Sequence, residues 1–249
     1  MDIYGLLGYP LGHSYSARYF HDKFEREHID ADYVNFEYAT VDDALARFAE
    51  MPSLRGFNVT IPHKQAIIPH LTAVSVEAKA IGAVNVVKVS HHADGTQEMT
   101  GHNTDWIGFS KSIAPMLCRC KGRRALVLGN GGASKAVLFA MQRMGWTTQV
   151  VARHPHSADE MTFADLSANM VKEYDAIINC TPLGMYPHVE TSPSLPYEAL
   201  SSSHVLYDLV YNPETTAFMR QGTEHGAQVK NGLEMLHIQA DEAWRIWNE

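Results

Sequence analysis

The chain has 249 residues, enough for one large domain or two smaller ones with a sizeable core. Apolar residues make up 45% and charged residues 19%, as in ordinary globular proteins, and no apolar run is long enough to span a bilayer. The net charge of -8 argues against nucleic-acid binding and leaves the capture of an anionic ligand to local groups. Three cysteines fit a reducing compartment, and the N-terminus lacks the basic region of a signal peptide, so we expect a cytoplasmic protein.

The first half of the chain alternates strands and helices. The predicted elements are a strand at 3–9, a helix at 16–28, a strand at 31–39, a helix at 41–51, a strand at 56–61 and a helical piece broken by Pro69. Two alternating runs, 83–90 and 98–103, flank a turn that contains Asp-Gly and therefore predict a hairpin.

The second half begins with RALVLG, a continuous apolar run typical of a strand buried in a parallel sheet. A helix from Ala133 to about Met144 follows, then strands at 147–153, 175–180, 204–210 and 227–232. The last segment places apolar residues at helical spacing, which predicts an amphipathic helix. Both halves therefore indicate α/β architecture, with a boundary near 101–122.

A glycine-rich turn, LGNGGASKA, connects the strand at RALVLG to the next helix. Gly129 permits the tight turn, Gly131 lets the backbone approach a pyrophosphate, and Ser134 stands at the third position, where Gly or Ala is usual. The helix N-terminus would offer N–H groups to phosphate, so we predict dinucleotide binding. The alternative is a tight turn without a ligand.

The following strand ends in VVARHPH, where an NAD site usually carries an acid. Arg153 occupies this position, and the first carboxylate that follows it in the sequence is Asp159. Arginine suits a ribose 2′-phosphate through bidentate hydrogen bonds, which favours NADP. A solvated surface arginine is the alternative.

The stretch GFNVTIPHK predicts a buried strand whose end presents Thr60 and Lys64, with Pro62 turning the chain between them and Asn58 serving the local backbone. A lysine that closes an apolar strand is unusual as a merely solvated charge. Asp105 in HNTDWIGF lies at a predicted helix start, where it could also be an N-cap. The 14 histidines are scattered and Cys118 and Cys120 lack zinc-site partners, so we expect no metal and disfavour a metal-dependent hydrolase.

Eight motifs occur in order along nearly the whole chain: GYPLGHSYS, GFNVTIPHK, GAVN, GHNTDWIG, LGNGGASKA, INCTPLGM, DLVYNP and NGLEML with Gln239. Together they resemble the shikimate dehydrogenase family. The resemblance implies an N-terminal α/β substrate-binding domain, 1–103 with the C-terminal helix 233–249, and a Rossmann-type NADP-binding domain, 104–232. It places the active site in the cleft between them and implies NADPH-dependent, reversible reduction of 3-dehydroshikimate to shikimate by a monomer or homodimer.

The same resemblance implies roles for individual residues. It implies that Lys64 is the catalytic lysine and that Asp105 is its partner. The residues that it implies bind the substrate are Ser14, Ser16, Thr60, Asn85, Tyr211 and Gln239. The residues that it implies bind the cofactor are Gly129, Asn130, Gly131, Gly132, Ala133, Arg153, Thr181, Gly184, Met185, Leu209 and Gly232. Each also has a structural alternative: the serines as helix caps, Thr60 and Asn85 as strand or turn residues, and Gln239 as helix surface.

Some positions depart from the family pattern. Ala17 replaces a proline after the second serine, and Ala152, His154 and Ser157 replace residues of the usual 2′-phosphate clamp. Two rival functions therefore stay open. One is a quinate/shikimate dehydrogenase that also accepts NAD, and the other is a non-catalytic dinucleotide sensor, which would not need both Lys64 and Asp105.

Overall fold

The computed structural model describes residues 1–12, 15–93 and 95–249. The chain forms two compact units. The first unit contains Met1–Thr104 and Ala240–Glu249, and the second unit contains Asp105–Gln239.

The first unit is built on a mixed sheet with the strand order β2-β1-β3-β5-β6-β4. Its elements are β1 (Asp2–Gly8), α1 (Tyr15–Glu27), β2 (Ala31–Glu37), α2 (Val41–Ala49), β3 (Leu54–Val59), α3 (His63–Ala66), β4 (Ala73–Val74), α4 (Val76–Ile81), β5 (Val86–His91) and β6 (Gln97–His102). β1 is parallel to β2 and β3, whereas β5 is antiparallel to β3 and β6. The pairing of β5 with β6 confirms the predicted hairpin.

Two apolar clusters cover the first sheet. One contains Leu7, Phe48 and Phe57, all fully buried. The other is aromatic and includes Phe20 and Trp247, whose indole N–H donates to the carbonyl of Val87 at 3.0 Å. Burial of large apolar side chains on both faces supplies most of the stabilisation of such a unit.

The second unit has a fully parallel sheet with the order β11-β10-β9-β7-β8. Its elements are α5 (Asp105–Leu117), β7 (Arg124–Leu128), α6 (Gly132–Arg143), β8 (Thr147–Val151), α7 (Ala168–Val171), β9 (Ala176–Asn179), β10 (Val205–Asp208), α8 (Ala217–Glu224), β11 (Gln228–Lys230) and α9 (Leu233–Asn248). α9 begins in the second unit and ends in the first. The apolar run of β7 is buried on both faces, as predicted for a parallel sheet.

The end of β3 differs from the prediction. The strand stops at Val59, and Ile61 is 75% exposed, so the buried alternation does not continue to residue 61. The N–H of His63 donates to the carbonyl of Thr60 at 2.8 Å and closes a turn. Lys64 therefore lies on the short helix α3 rather than at the end of a strand. Among the described residues, no helix combines the length and apolar character needed to cross a membrane.

Candidate active site

The glycine-rich turn follows the carboxyl end of β7 in the second unit. Gly129 has a φ of 102°, a conformation that glycine adopts at little cost, and its N–H donates to the carbonyl of Val151. Within the part of the chain that the structure describes, a Cβ added to Gly131 or Gly132 would meet no atom within 4 Å, so open space lies next to the start of α6. Ser134 is buried and donates to the carbonyl of Gly131 at 2.6 Å. This hydrogen bond explains how serine is accommodated at the third position, and the open turn fits a dinucleotide phosphate.

The chain after β8 is held against this turn by a carboxylate. The amide of Asn130 donates to Glu160 at 2.8 Å and to the carbonyl of His154 at 2.9 Å. Burial acts to raise the pKa of Glu160, but hydrogen bonds from the His156 N–H and Asn130 lower it overall. Arg153, two residues after the end of β8, is exposed. Sequence reasoning did not assign Glu160, because its hydrogen bond to Asn130 spans 30 residues of sequence.

A buried carboxylate organises the loops after β9 and β10. Asp208 is fully buried and accepts hydrogen bonds from Asn179 at 2.9 Å, the Val210 N–H at 3.0 Å and Thr216 at 2.6 Å. Burial raises the pKa of Asp208 to about 6 despite these donors. Asn179 in turn accepts from the N–H and hydroxyl of Thr181. Asp208 was not predicted as a functional residue, although it begins the DLVYNP motif.

The remaining predicted cofactor residues also follow parallel strands of the second unit. Gly184 has a φ of 89° and its N–H donates to Thr191 at 2.8 Å. A side chain on Gly232 would collide with the carbonyl oxygen of Leu209, so these two loops are in close contact. Ligands of open parallel sheets bind beyond the carboxyl ends of the strands, and this edge carries all eleven predicted cofactor positions, including Ala133 and the 48% exposed Met185.

Several predicted substrate residues of the first unit are tied together by backbone hydrogen bonds. The Val84 N–H donates to the carbonyl of Lys64, and the Val59 N–H donates to the carbonyl of Asn85, both at 2.8 Å. Thr60, next to Val59, is half-buried, as is Lys64. The end of β3, α3 and the start of β5 therefore bring Thr60, Lys64 and Asn85 into one region. His63 is a core residue whose imidazole donates to the Tyr38 carbonyl at 2.7 Å.

Asn85 also holds the residue that precedes Asp105. Its side-chain oxygen accepts from the Thr104 N–H at 2.7 Å, and its amide donates to the Thr104 hydroxyl at 3.1 Å. Asp105 itself begins α5 and is 7% exposed. Burial of an aspartate at a helix start is more than a simple exposed cap requires.

Gln239 is also buried, at 8% exposure, which excludes the alternative of a plain helix-surface residue. Its amide donates to the carbonyl of Leu236 at 2.9 Å. A Cβ added to Gly108 would lie 3.1 Å from the Gln239 Cβ, so α5 packs closely on this part of α9. Tyr211 is half-buried in the loop after β10, and Ser14 lies outside the described residues. Within the described ranges, no group of three or more His, Cys, Asp and Glu residues could hold a metal ion.

Comparison with known proteins finds one family over nearly the whole chain. Residues 6–87 match the family model described as the shikimate dehydrogenase substrate binding domain. A shikimate dehydrogenase (NADP(+)) of Caldanaerobacter subterraneus subsp. tengcongensis is 34% identical and covers 98% of this chain and 91% of its own length. The crystal structure of shikimate dehydrogenase from Aquifex aeolicus has a TM-score of 0.88 and 33% identity, covering 99% of this chain and 92% of that one. The structure of shikimate 5-dehydrogenase from Thermus thermophilus, in complex with NADP(H) and shikimate, has a TM-score of 0.84 and 32% sequence identity. The match covers 99% of this chain and 93% of that one.

The two sheets and the open glycine turn define an α/β protein with a Rossmann-type nucleotide-binding unit, which confirms the predicted fold class. The matches with named relatives extend through both units, well beyond the residues of any one motif. The chain belongs to the shikimate dehydrogenase family.

Proposed function

We propose that this protein catalyses the reversible, NADPH-dependent reduction of 3-dehydroshikimate to shikimate in aromatic amino-acid biosynthesis. The similarity of nearly the whole chain to relatives named shikimate dehydrogenase (NADP(+)) carries the proposal. The protein is accordingly an oxidoreductase that acts on a CH–OH group of a small molecule. Its substrate-binding domain is 1–103 with helix 233–249, and its NADP-binding domain is 104–232.

Lys64 and Asp105 carry the catalytic roles in this proposal. Bound NADPH supplies the hydride. Reduction of a ketone builds negative charge on its oxygen, and the Lys64 ammonium stabilises that charge and delivers a proton to the oxygen. Asp105 orients Lys64 and accepts a hydrogen bond from a substrate hydroxyl.

The other assigned residues bind and orient. Ser14 and Ser16 hold the substrate carboxylate by hydrogen bonds without a charge pair. Thr60, Asn85 and Gln239 bind the ring hydroxyls or the carboxylate region, and Tyr211 lies near the substrate and the nicotinamide.

The cofactor residues form a second group. The turn around Gly131 contacts the pyrophosphate. Arg153 contacts the ribose 2′-phosphate. Thr181, Gly184, Met185 and Leu209 would also bind the cofactor, and the Gly232 carbonyl would meet the carboxamide of its nicotinamide.

An absorbance assay tests the proposal. Purified protein is mixed with shikimate and either NADP or NAD, with quinate as a second substrate, and reduced cofactor is followed. We expect turnover of shikimate with NADP. Dinucleotide binding without turnover of any pair would contradict the proposal and favour a sensor.

A broader specificity is the second candidate. Ala152, His154 and Ser157 occupy positions of the usual 2′-phosphate clamp, and the carboxylate of Glu160 lies against Asn130 of the same site. Comparable turnover with NAD or quinate in the same assay would place the protein among quinate/shikimate dehydrogenases. We further propose that the protein is cytoplasmic, is a monomer or a homodimer, and binds no nucleic acid. Light scattering coupled to gel filtration measures its oligomeric state.

A further inference from the structure

A chain of side-chain hydrogen bonds connects Ser16 to Asn85 through the interior of the first unit. Ser16, on α1, is hydrogen-bonded to the hydroxyl of Tyr33 on β2. The Tyr33 hydroxyl donates to the side-chain oxygen of Asn58 at 2.7 Å. The amide of Asn58, on β3, donates to the carbonyl of Asn85 at 3.3 Å. Tyr33 and Asn58, which have no substrate role in the proposed function, thus connect Ser16 and Asn85, which both bind substrate in that proposal.

The two connecting residues are enclosed. Tyr33 is 2% exposed and its ring stacks on Phe20 with a centroid distance of 4.6 Å. Asn58 is 6% exposed. Burial raises the pKa of Tyr33 well above its usual range, with the Ser16 hydrogen bond acting in the opposite direction. Tyr33 therefore stays protonated, and its hydroxyl group donates a hydrogen bond to Asn58. The oxygen of the same hydroxyl group accepts a hydrogen bond from Ser16.

This arrangement fixes an oxygen while leaving its hydrogen adjustable. The Ser16 side chain is held by a phenol that cannot move without disturbing the Phe20 stack. A hydroxyl hydrogen rotates about its C–O bond, so the Ser16 hydrogen can turn from Tyr33 to a carboxylate oxygen, a stronger, charge-assisted acceptor. The Tyr33 hydrogen can then turn from Asn58 to the Ser16 oxygen, so that a hydrogen bond still joins the two hydroxyl groups. At the other end of this chain of hydrogen bonds, the backbone carbonyl of Asn85 also accepts from the Val59 N–H. The side-chain oxygen of Asn85 accepts from the Thr104 N–H.

We propose that Tyr33 and Asn58 are positioning residues that set Ser16 and Asn85 for the substrate. They touch neither substrate nor cofactor and act through the two residues they hold. The inference rests on the proposed function. Replacing Tyr33 leaves Ser16 free to adopt other rotamers, so substrate binding weakens while the chemistry at the ketone is retained.

Tyr33→Phe tests this with steady-state kinetics. Loss of one ordering hydrogen bond is expected to raise KM for shikimate about fivefold or more, with kcat and KM for NADP within about twofold. Tyr207→Phe is the matched control, because it removes a buried tyrosine hydroxyl that donates to Ser112 at 2.9 Å in the second unit. The control is expected to lose similar stability without a change in KM for shikimate. An unchanged or lower KM in Tyr33→Phe contradicts the inference.

A double-mutant cycle separates positioning from a general loss of packing. If Tyr33 acts through Ser16, adding Tyr33→Phe to Ser16→Ala raises KM no further, because the held group is already gone. Additive effects contradict the inference.

Asn58→Leu is expected to raise KM in the same way. If it folds poorly, Tyr33→Phe/Asn58→Leu removes both polar partners and is expected to recover stability while KM stays high. A recovered KM contradicts the inference. Absence of shikimate turnover by the unaltered protein would instead overturn the proposed function.

Discussion

Lys64 lies on α3, with its carbonyl bound by the Val84 N–H, so its backbone is fixed beside the start of β5. We predict that Lys64→Ala lowers kcat by about a hundredfold or more and changes KM for shikimate much less. The reason is that stabilisation of charge and proton delivery act in the transition state, where general acid catalysis contributes roughly 10²–10⁴-fold. Initial rates over a range of shikimate concentrations measure both constants.

Lys79→Ala is the control for Lys64→Ala, because Lys79 is exposed on α4 of the same unit. It is expected to leave both constants unchanged. A Lys64→Ala protein that lost only affinity for shikimate would show that Lys64 binds substrate without acting in catalysis.

Asp208 gives the stability of the protein a distinct pH dependence. Its pKa rises from 3.8 to about 6 on folding because of burial. Between these values the folded state binds more protons than the unfolded state, so the free energy of unfolding falls as pH rises through this window. The loss amounts to about 3 kcal/mol and is complete above the folded-state pKa.

Asp208→Asn mimics the protonated carboxyl group and is expected to remove this contribution. Urea unfolding at about pH 4.5 and about pH 7 measures the free energy of unfolding of the two proteins. Most of the titration of Asp208 falls between these two pH values. Relative to Asp208→Asn, the unaltered protein should lose stability between the two pH values. Equal changes in both proteins would show that Asp208 titrates normally.

Single residues were predictable where they lie in a motif and not where their role depends on distant partners. Lys64 and Asp105 were singled out by the oddity of their setting or by the family resemblance. Tyr33 has the appearance of an ordinary strand aromatic, and its bond to Asn58 spans 25 residues of sequence. The site roles themselves stay predictions until variants are measured.

At the scale of elements, periodicity predicted the longer helices and strands well. It did not predict β4, α4, α7 or α8. β4 has only two residues, and its pairing with β6 gives it stability that no local pattern records. The end of β3 was misplaced because Thr60 and Ile61 continue the alternation in sequence, whereas the turn closed by His63 interrupts it in the structure.

The packing of the last turns of α9 on β3 can be tested at Gly56. A Cβ at this position would strike the Trp247 indole, so Gly56→Ala must displace the ring or the strand. We predict a loss of about 1–3 kcal/mol in the free energy of unfolding, as for other overpacked cores. Gly12→Ala is the control, because a Cβ there meets no atom of the described residues within 4 Å. Urea denaturation measures both, and an equal effect of the two changes would contradict the expected clash.

At the scale of the whole molecule, the net charge of -8 opposes an anionic cofactor. Arg153 must therefore act locally, and its removal should affect NADP more than NAD. We predict that Arg153→Ala raises KM for NADP about tenfold and leaves KM for NAD nearly unchanged, because only NADP carries the 2′-phosphate. Kinetics with both cofactors at two salt concentrations measure this. Parallel changes for NADP and NAD would assign Arg153 to adenine stacking instead.

α9 gives the molecule an order of assembly. The first unit includes residues 240–249, which a ribosome adds only after the whole second unit has been made. Until then, Gly56 and the aromatic face of the first sheet lack Trp247. The second unit is complete in sequence by Gln239 and can fold as a continuous segment. The first unit must instead close a loop of more than a hundred residues, and contacts of such separation form late and slowly.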